Sequence, residues 1–180
     1  TPQANGNGLK PLVGEVLDPN ATILGGKQEA WLRRKWLESK AEWNVMAQQV
    51  LMARVDRLPG PAEGYPMDKW AGYEVCRQRV MQSLADLKVP NPVVLTGDIH
   101  SNWVCDLPLD YRRPEKTVVG TEFVCTSISS GGNGSEKLEY TDGMIAENPW
   151  VKLHNAERGY VRCRVTPRQW TTDFQVVEDV

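Results

Sequence analysis

The first half of the chain alternates between helix-like and strand-like spacing of its hydrophobic positions. Between Lys27 and Lys40 the apolar residues fall on one helical stripe and leave the opposite side polar; they are Leu32, Trp36, Leu37 and, just beyond, Ala41. From Trp43 to Val50 the pattern alternates as in a strand. This part therefore predicts a helix followed by a strand, the order with which α/β folds begin.

A second helix and strand follow an irregular stretch rich in proline and glycine at residues 59–64. Pro66 and Asp68 open the helix, in which apolar residues recur at steps of three and four: Tyr73, Cys76, Val80, Leu84 and Leu87. The helix should end before Pro90. The β-branched run from Val93 to Thr96 predicts a buried strand, and Gly97 begins the turn that follows it.

Beyond this turn the pattern changes to short β-rich pieces. We expect antiparallel strands over residues 103–107, 118–126, 159–166 and 169–177. Ser129–Ser135 is too rich in glycine for a helix or a strand, and it lacks the lysine and the helix of a phosphate-cradling loop. We interpret it as a flexible lid or a connector. The fold class is therefore α/β, with antiparallel strands in the C-terminal part.

Composition and charge exclude two classes of partner. The chain has 180 residues, enough for one domain with a core, and a formal net charge of −2 with both signs mixed along the sequence. It therefore has no basic face for nucleic acid. No stretch reaches the roughly 20 consecutive apolar residues of a membrane-spanning helix. The polar opening from Thr1 to Gly8, without an initiating methionine, predicts a linker from a longer protein.

The four cysteines do not form a metal-binding pattern. They are Cys76, Cys105, Cys125 and Cys163, widely spaced and without an adjacent histidine. We expect buried thiols. The sequence also allows a disulfide between Cys105 and Cys125, provided that both residues lie on neighbouring strands in an oxidising compartment.

The candidate chemistry lies in the turn after the Val93–Thr96 strand. Asp98 and His100 are two residues apart, and side chains at the carboxyl ends of strands meet at one edge of an open sheet. An aspartate oxygen suits hard cations such as Ca²⁺, whereas a histidine nitrogen suits iron or zinc, so the pair predicts part of a two-metal centre. The alternative is that Asp98 caps the turn and His100 is a satisfied polar residue.

Residues around this turn have two interpretations each. Ser101 and Asn102 either stabilise the turn or hydrogen-bond a phosphate group. At least one of Gln48 and Gln49 should point inward, towards the site or simply into the core. Trp103 is expected near the site because it follows the turn directly.

The roles of three residues at the second helix and of a distant histidine are also considered. Trp70, Tyr73 and Arg77 either form a wall of the pocket or belong to an ordinary amphipathic helix. His154 is expected at the surface.

The order of these motifs resembles the PhoD-like branch of the calcineurin-like metallophosphoesterases. In that family a core strand is followed by Gly-Asp-x-His, as at residues 97–100 here. Three other family patterns have counterparts: "LGxxQxxWL" with a later "W … QQ" at residues 24–50, "DxWxGYxxxR" at 68–77 and "EFxxxSISS" at 122–130. The stretch Arg158–Tyr160 with Val165 and Thr166 resembles the closing strand pair. The resemblance covers nearly the whole chain from Leu24 onward.

The resemblance implies a four-layer α/β/β/α sandwich in which residues 1–22 continue from a missing N-terminal half and residues 23–180 are the C-terminal half of the catalytic domain. It implies metal-dependent hydrolysis of phosphate monoesters or diesters with Ca and Fe ions, outside the cytoplasm, in the periplasm or extracellular space. Asp98 and His100 are then metal and catalytic residues. The alternative is a non-catalytic binding or scaffold module with a degenerate fold of this type.

The chain departs from the family in one important respect. The family's other ligands, in Asp-containing motifs, an Asn-containing motif and a cysteine, belong to the N-terminal half, and no cysteine here lies in a matching context. Asp98 and His100 alone do not complete a site, because each metal needs about four to six ligands. The partners expected are therefore a phosphate-ester substrate and the missing half of the same protein.

Overall fold

The computed structural model describes residues 6–178. Within this range the strands, in chain order, are β1 (Leu9–Lys10), β2 (Asn44–Ala47), β3 (Tyr65–Pro66), β4 (Pro92–Thr96), β5 (Asn102–Pro108), β6 (Val118–Val124), β7 (Val151–Asn155), β8 (Gly159–Val165) and β9 (Trp170–Val176). The α-helices are α1 (Gly26–Glu38), α2 (Glu74–Asp86) and α3 (Thr141–Glu147), and short 3₁₀ helices lie at Gly14–Leu17 and Trp70–Tyr73.

A mixed sheet with the order β2-β4-β6-β5-β7 organises these elements. β4 pairs in parallel with β2 and β6, whereas β5 pairs antiparallel with β6 and β7. The β8–β9 hairpin and the β1–β3 pair form two small antiparallel sheets. The mixed α/β class and the antiparallel C-terminal part are confirmed.

The two faces of the main sheet have different coverings. One face packs against α2 and forms the hydrophobic core with it. The buried residues of this core include Cys76, Val80, Met81 and Leu84 from α2 and Val94, Trp103, Cys105 and Val124 from the sheet. The other face carries Val45, Leu95, Phe123, Val104 and Leu153, which share a side because they lie in register or two residues apart across the strands. The β8–β9 hairpin covers part of this second face, since the ring of Trp170 lies 6.4 Å from Phe123 and 5.6 Å from Trp43.

The helices agree with the predictions in position but not in every boundary or face. α1 ends at Glu38 and none of its residues is fully buried. Of its apolar stripe, Trp36 packs against the core, whereas Leu37 is 65% exposed. The second helix was expected to open at Pro66 and Asp68, but a 3₁₀ turn precedes it and α2 starts at Glu74. A Cβ on Gly72 would collide with the carbonyl of Met67, so glycine permits this tight entry.

Several short elements were not predicted. α3 and β7 lie where no periodic pattern was recognised. Of the segment interpreted as a linker or loop, residues 1–5 lie outside the described range, and the rest contains β1 and the 3₁₀ helix with its buried Val16. Among the described helices, none combines the length and the apolar character that crossing a membrane requires.

The cysteines are free thiols in the described chain. Cys76 and Cys105 are buried as expected, whereas Cys125 and Cys163 are half-buried. The antiparallel register pairs Cys105 with Glu122 and Trp103 with Val124, so Cys125 is not opposite Cys105 although it directly follows the neighbouring strand. The Cys105–Cys125 disulfide that the sequence allowed is therefore not formed.

Candidate functional site

The turn that follows β4 presents two exposed polar side chains at one edge of the sheet. Asp98 has a φ of 72° and His100 a φ of 57°, both in the left-handed region that residues other than glycine seldom adopt. Such a conformation costs roughly 1–2 kcal/mol per residue. The turn is held by backbone hydrogen bonds from Gly97 to Gln49 and from Ile99 to Gly97. Two left-handed residues in one short turn are thus maintained by their surroundings.

Asp98 is paired with a lysine that the sequence analysis did not single out. The Lys69 ammonium contacts the Asp98 carboxylate and lies 3.0 Å from Oδ2 of Asp68. Burial acts to lower the pKa of Lys69, but its hydrogen bonds with Asp98 and Asp68 outweigh this and leave that pKa raised, so the ammonium is charged. Among residues 6–178 no backbone N–H donates to the Asp98 carboxylate, so Asp98 does not cap the turn. The local sequence around Lys69 does not predict this contact, because Asp98 lies 29 residues further along the chain.

His100 keeps its imidazole free within the described part of the chain. The side chain is exposed, and no ring nitrogen of His100 has a hydrogen-bond partner among residues 6–178. Its backbone carbonyl, in contrast, accepts a hydrogen bond of 2.7 Å from Arg158 Nη1. The backbone of His100 is fixed while its side chain remains available.

The donor set at this edge fits a metal ion only as part of a larger set. Among residues 6–178 no three His, Cys, Asp or Glu side chains cluster as a metal site would require. The carboxylate of Asp98 and the imidazole of His100 are an oxygen and a nitrogen donor, as calcium and iron prefer. A metal ion at this edge would need further ligands besides these two.

A buried polar network lies below the turn. Glu122, fully buried, accepts hydrogen bonds from the backbone N–H groups of Met52 and Ala53, both at 2.8 Å, and from the Thr96 hydroxyl at 2.6 Å. Burial raises the pKa of Glu122, although these three hydrogen bonds oppose the change. The carboxylate thus ties the end of β4 to the segment after β2. Glu122 and Thr96 were missed because nothing in their local pattern predicts a contact 26 residues apart.

Gln48 extends this network, and Trp70 belongs to it. Gln48 points inward: its Nε2 donates to Thr96 at 2.5 Å and its Oε1 accepts from Trp70 Nε1 at 2.8 Å. Gln49 is exposed. Trp70 is therefore a support beneath the turn, and Arg77 is buried in a bidentate pair with Glu74, both bonds at 2.8 Å.

Ser101 and Asn102 stabilise the strand ends. Asn102 Oδ1 accepts from the Thr126 N–H at 3.0 Å and its Nδ2 donates to Asn155 at 3.2 Å, which joins the ends of three strands. Ser101 Oγ accepts from the indole of Trp103 at 2.8 Å. Trp103 is buried directly behind the turn, as expected for a neighbour of the site.

His154 is buried, so the expectation of a surface position was wrong. Its ring stacks edge-on against Trp103 at 4.3 Å, and its Nδ1 lies 2.9 Å from the Thr141 hydroxyl. Burial, assisted by the positive charge of Arg57, lowers the pKa of His154 to about 4. The error follows from missing β7, whose pairing with β5 turns His154 into the core.

Comparison with known proteins gives this geometry a context. A family model described as PhoD-like phosphatase matches residues 3–174. "Alkaline phosphatase D" from Bacillus subtilis (strain 168) is 44% identical over 175 residues, which are 97% of this chain and 30% of that protein. A solved structure described as "Structure of PhoD" superposes with a TM-score of 0.95 at 44% identity, covering 99% of this chain and 34% of the other. The chain thus spans about a third of the length of the relatives that it matches.

Proposed function

This chain belongs to the PhoD-like phosphatase family, and on that premise we propose that it contributes the last metal-binding motif of an enzyme that hydrolyses phosphate esters. The observation that carries the proposal is the turn after β4. It presents an aspartate and a histidine in left-handed conformations, with an imidazole that no described residue engages. Strain of this kind persists where the surrounding structure enforces it, and it is concentrated at functional sites.

The chemistry assigned to this chain is positioning. Asp98 would supply an oxygen ligand for calcium and His100 a nitrogen ligand for iron. When bound, metal ions at such a site offset the charge of the phosphoryl oxygens and lower the pKa of a bound water. The Glu122 network and Arg158 hold the two ends of the turn, from Thr96 to His100, so that both donors keep a fixed geometry.

The four-layer sandwich is part of the same proposal. The sheet face that carries Phe123 is only partly covered by the β8–β9 hairpin, and Val45 and Leu153 on that face are 47% and 37% exposed. Tyr160 on the hairpin is 49% exposed. Apolar groups on an open sheet face call for a partner layer. We assign that layer to the remainder of the parent protein, which would also bring the missing ligands.

A location outside the cytoplasm also belongs to the proposal and rests on the family resemblance alone. Fractionation of cells that produce the complete protein tests it. The alternative of a non-catalytic module is not favoured, because the family model extends over residues 3–174 and the curated relative is named as a phosphatase.

The decisive experiment compares Asp98→Asn with Asp142→Asn in the complete protein. Asp142 is an exposed aspartate paired with Lys137, so it controls for the loss of a surface carboxylate. We expect Asp98→Asn to reduce hydrolysis of p-nitrophenyl phosphate at least about 100-fold and to lower the bound metal measured by mass spectrometry. The control should behave as wild type. Unchanged turnover and metal content in Asp98→Asn would contradict the proposal.

A further inference from the structure

Arg158 is a buried arginine whose guanidinium is held by uncharged groups. Arg158 is only 7% exposed. Nη1 donates to the carbonyls of His100 at 2.7 Å and Ala156 at 2.8 Å, and Nη2 to the carbonyl of Gly131 at 3.4 Å. Nη1 also lies 3.5 Å from the Thr126 hydroxyl. A buried charge that is held only by neutral acceptors is costly, so its placement calls for a reason.

The bonds of Arg158 join two segments that are far apart in sequence. His100 lies in the turn after β4, and Gly131 lies in the glycine-rich segment, Ser129–Ser135. One guanidinium therefore fixes the backbone of both. Because the guanidinium is planar and rigid, it sets the position of one carbonyl relative to the other.

The glycines of this segment permit its close approach to Arg158. A Cβ on Gly131 would lie 3.0 Å from Arg158 Nη2, and a Cβ on Gly134 would lie 3.2 Å from Nη1 and collide with the Ala156 carbonyl. Both glycines also have positive φ, of 82° and 74°. Ser135 and Ala156 complete the anchor by exchanging two backbone hydrogen bonds of 3.4 and 3.1 Å. The glycine content thus serves a close backbone contact as well as the turn itself.

We propose that Arg158 is a positioning residue that holds the glycine-rich segment beside the Asp98–His100 turn, where the segment forms a wall that contacts the organic group of the phosphate ester. This rests on the proposed function. The residues from Ile128 to Gly134 are exposed, so the wall faces solvent rather than the core. Ser129 and Ser130 are exposed and contribute two hydroxyls to it, which suits a polar organic group that carries hydroxyls.

Gly134→Ala is the sharpest variant for testing the wall. It keeps the Arg158 side chain and every residue of the turn, but its methyl group would collide with the Ala156 carbonyl, press on Arg158 Nη1 and so displace the segment. Gly132→Ala is the matched control, because Gly132 has a similar φ of 69° and nothing within 4 Å of its Cβ position. Both variants bear the backbone strain of an alanine at positive φ, and only Gly134→Ala adds the collision.

The first measurement is hydrogen exchange of the backbone amides that anchor the segment in the complete protein. We expect exchange of the Ser135 and Ala156 amides, which bond to each other's carbonyls, to accelerate about tenfold in Gly134→Ala and in Arg158→Lys, and to change less in Gly132→Ala. The lysine of Arg158→Lys keeps the charge and loses the planar fork. Equal exchange in Gly134→Ala and Gly132→Ala would overturn the anchoring role.

The second measurement uses two p-nitrophenyl phosphodiesters that share a leaving group, one with a methyl and one with a nucleoside as the second group. We expect Gly134→Ala to raise KM for the nucleoside ester about tenfold, the loss of roughly 1.4 kcal/mol of binding, and to leave KM for the methyl ester almost unchanged. An unchanged KM ratio, together with an inactive Asp98→Asn, would contradict this inference alone. Full activity of Asp98→Asn would contradict the proposed function instead.

Discussion

The ammonium of Lys69 lies against the carboxylate of Asp98, and it is the more buried partner of the two. The Lys69 side chain is 11% exposed and that of Asp98 44% exposed. Lys69 precedes the 3₁₀ helix at Trp70, whereas Asp98 follows β4, so the pair links the entry of α2 to the turn. Lys69 therefore reaches Asp98 from the protein side and leaves the other side open to solvent.

This ion pair predicts competition between lysine and metal. Lys69→Met in the complete protein should bind Ca²⁺ about fivefold more tightly. The calcium ion no longer has to displace the ammonium from the Asp98 carboxylate, and a half-exposed ion pair is worth about 1 kcal/mol. Isothermal titration with calcium measures the change. Lys35→Met is the control, since Lys35 is an exposed lysine paired with Glu38 on α1. Weaker calcium binding in Lys69→Met would contradict competition.

Burial of His154 predicts a loss of stability in acid. Its pKa is lowered from 6.5 to about 4 in the folded protein. Between these pH values the unfolded state therefore binds a proton that the folded state does not bind. Stability should therefore fall as the pH decreases from 6.5 towards 4, by at most about 3 kcal/mol.

His154→Gln tests this dependence. The glutamine does not titrate, so the difference in melting temperature between pH 7 and pH 4.5 should be smaller in the variant than in the wild-type protein. Thermal unfolding of the complete protein at both pH values gives the comparison. A variant with the same acid sensitivity as wild type would show that His154 is not the responsible group.

The buried carboxylate of Glu122 predicts a large effect of a small change. Glu122→Gln replaces one acceptor oxygen by an amide group that faces N–H or O–H donors, at Met52, Ala53 or Thr96. We expect a destabilisation of about 2 kcal/mol, because one buried donor loses its partner. Guanidinium unfolding measures it, with the exposed Glu115→Gln as the control. Equal midpoints for the two variants would contradict the role of this network.

The partly covered sheet face predicts the behaviour of residues 1–180 expressed alone. Exposed apolar side chains such as Val45, Leu153 and Tyr160 should cause self-association. On the proposed function the chain alone should not hydrolyse phosphate esters, because no three His, Cys, Asp or Glu side chains cluster among residues 6–178. Co-expression with the remaining part of the parent protein should restore solubility and metal-dependent hydrolysis, since burial of a shared core stabilises both parts. A monomeric chain that melts cooperatively and is active alone would contradict this prediction.

The sequence by itself determined the elements whose signals are local. The run from Val93 to Thr96 between a proline and a glycine predicted β4 within one residue, because a buried strand needs continuous apolar side chains and its breakers stand at its ends. The spacing of Cys76, Val80 and Leu84 predicted the buried face of α2 for the same kind of reason. The turn with Asp98 and His100 was identified from its position at a strand end.

The tertiary structure alone decided how these pieces meet. β7 is too short and mixed to give a periodic signal, so the burial of His154 depends on its pairing with β5. Lys69 and Asp98 are 29 residues apart, and Arg158 and His100 are 58 apart, and no local pattern encodes contacts at such separations. Backbone periodicity reports the environment of one element, whereas ion pairs and buried hydrogen bonds depend on the packing of several elements at once. For this reason the sequence located the candidate turn, and only the fold revealed which residues hold it.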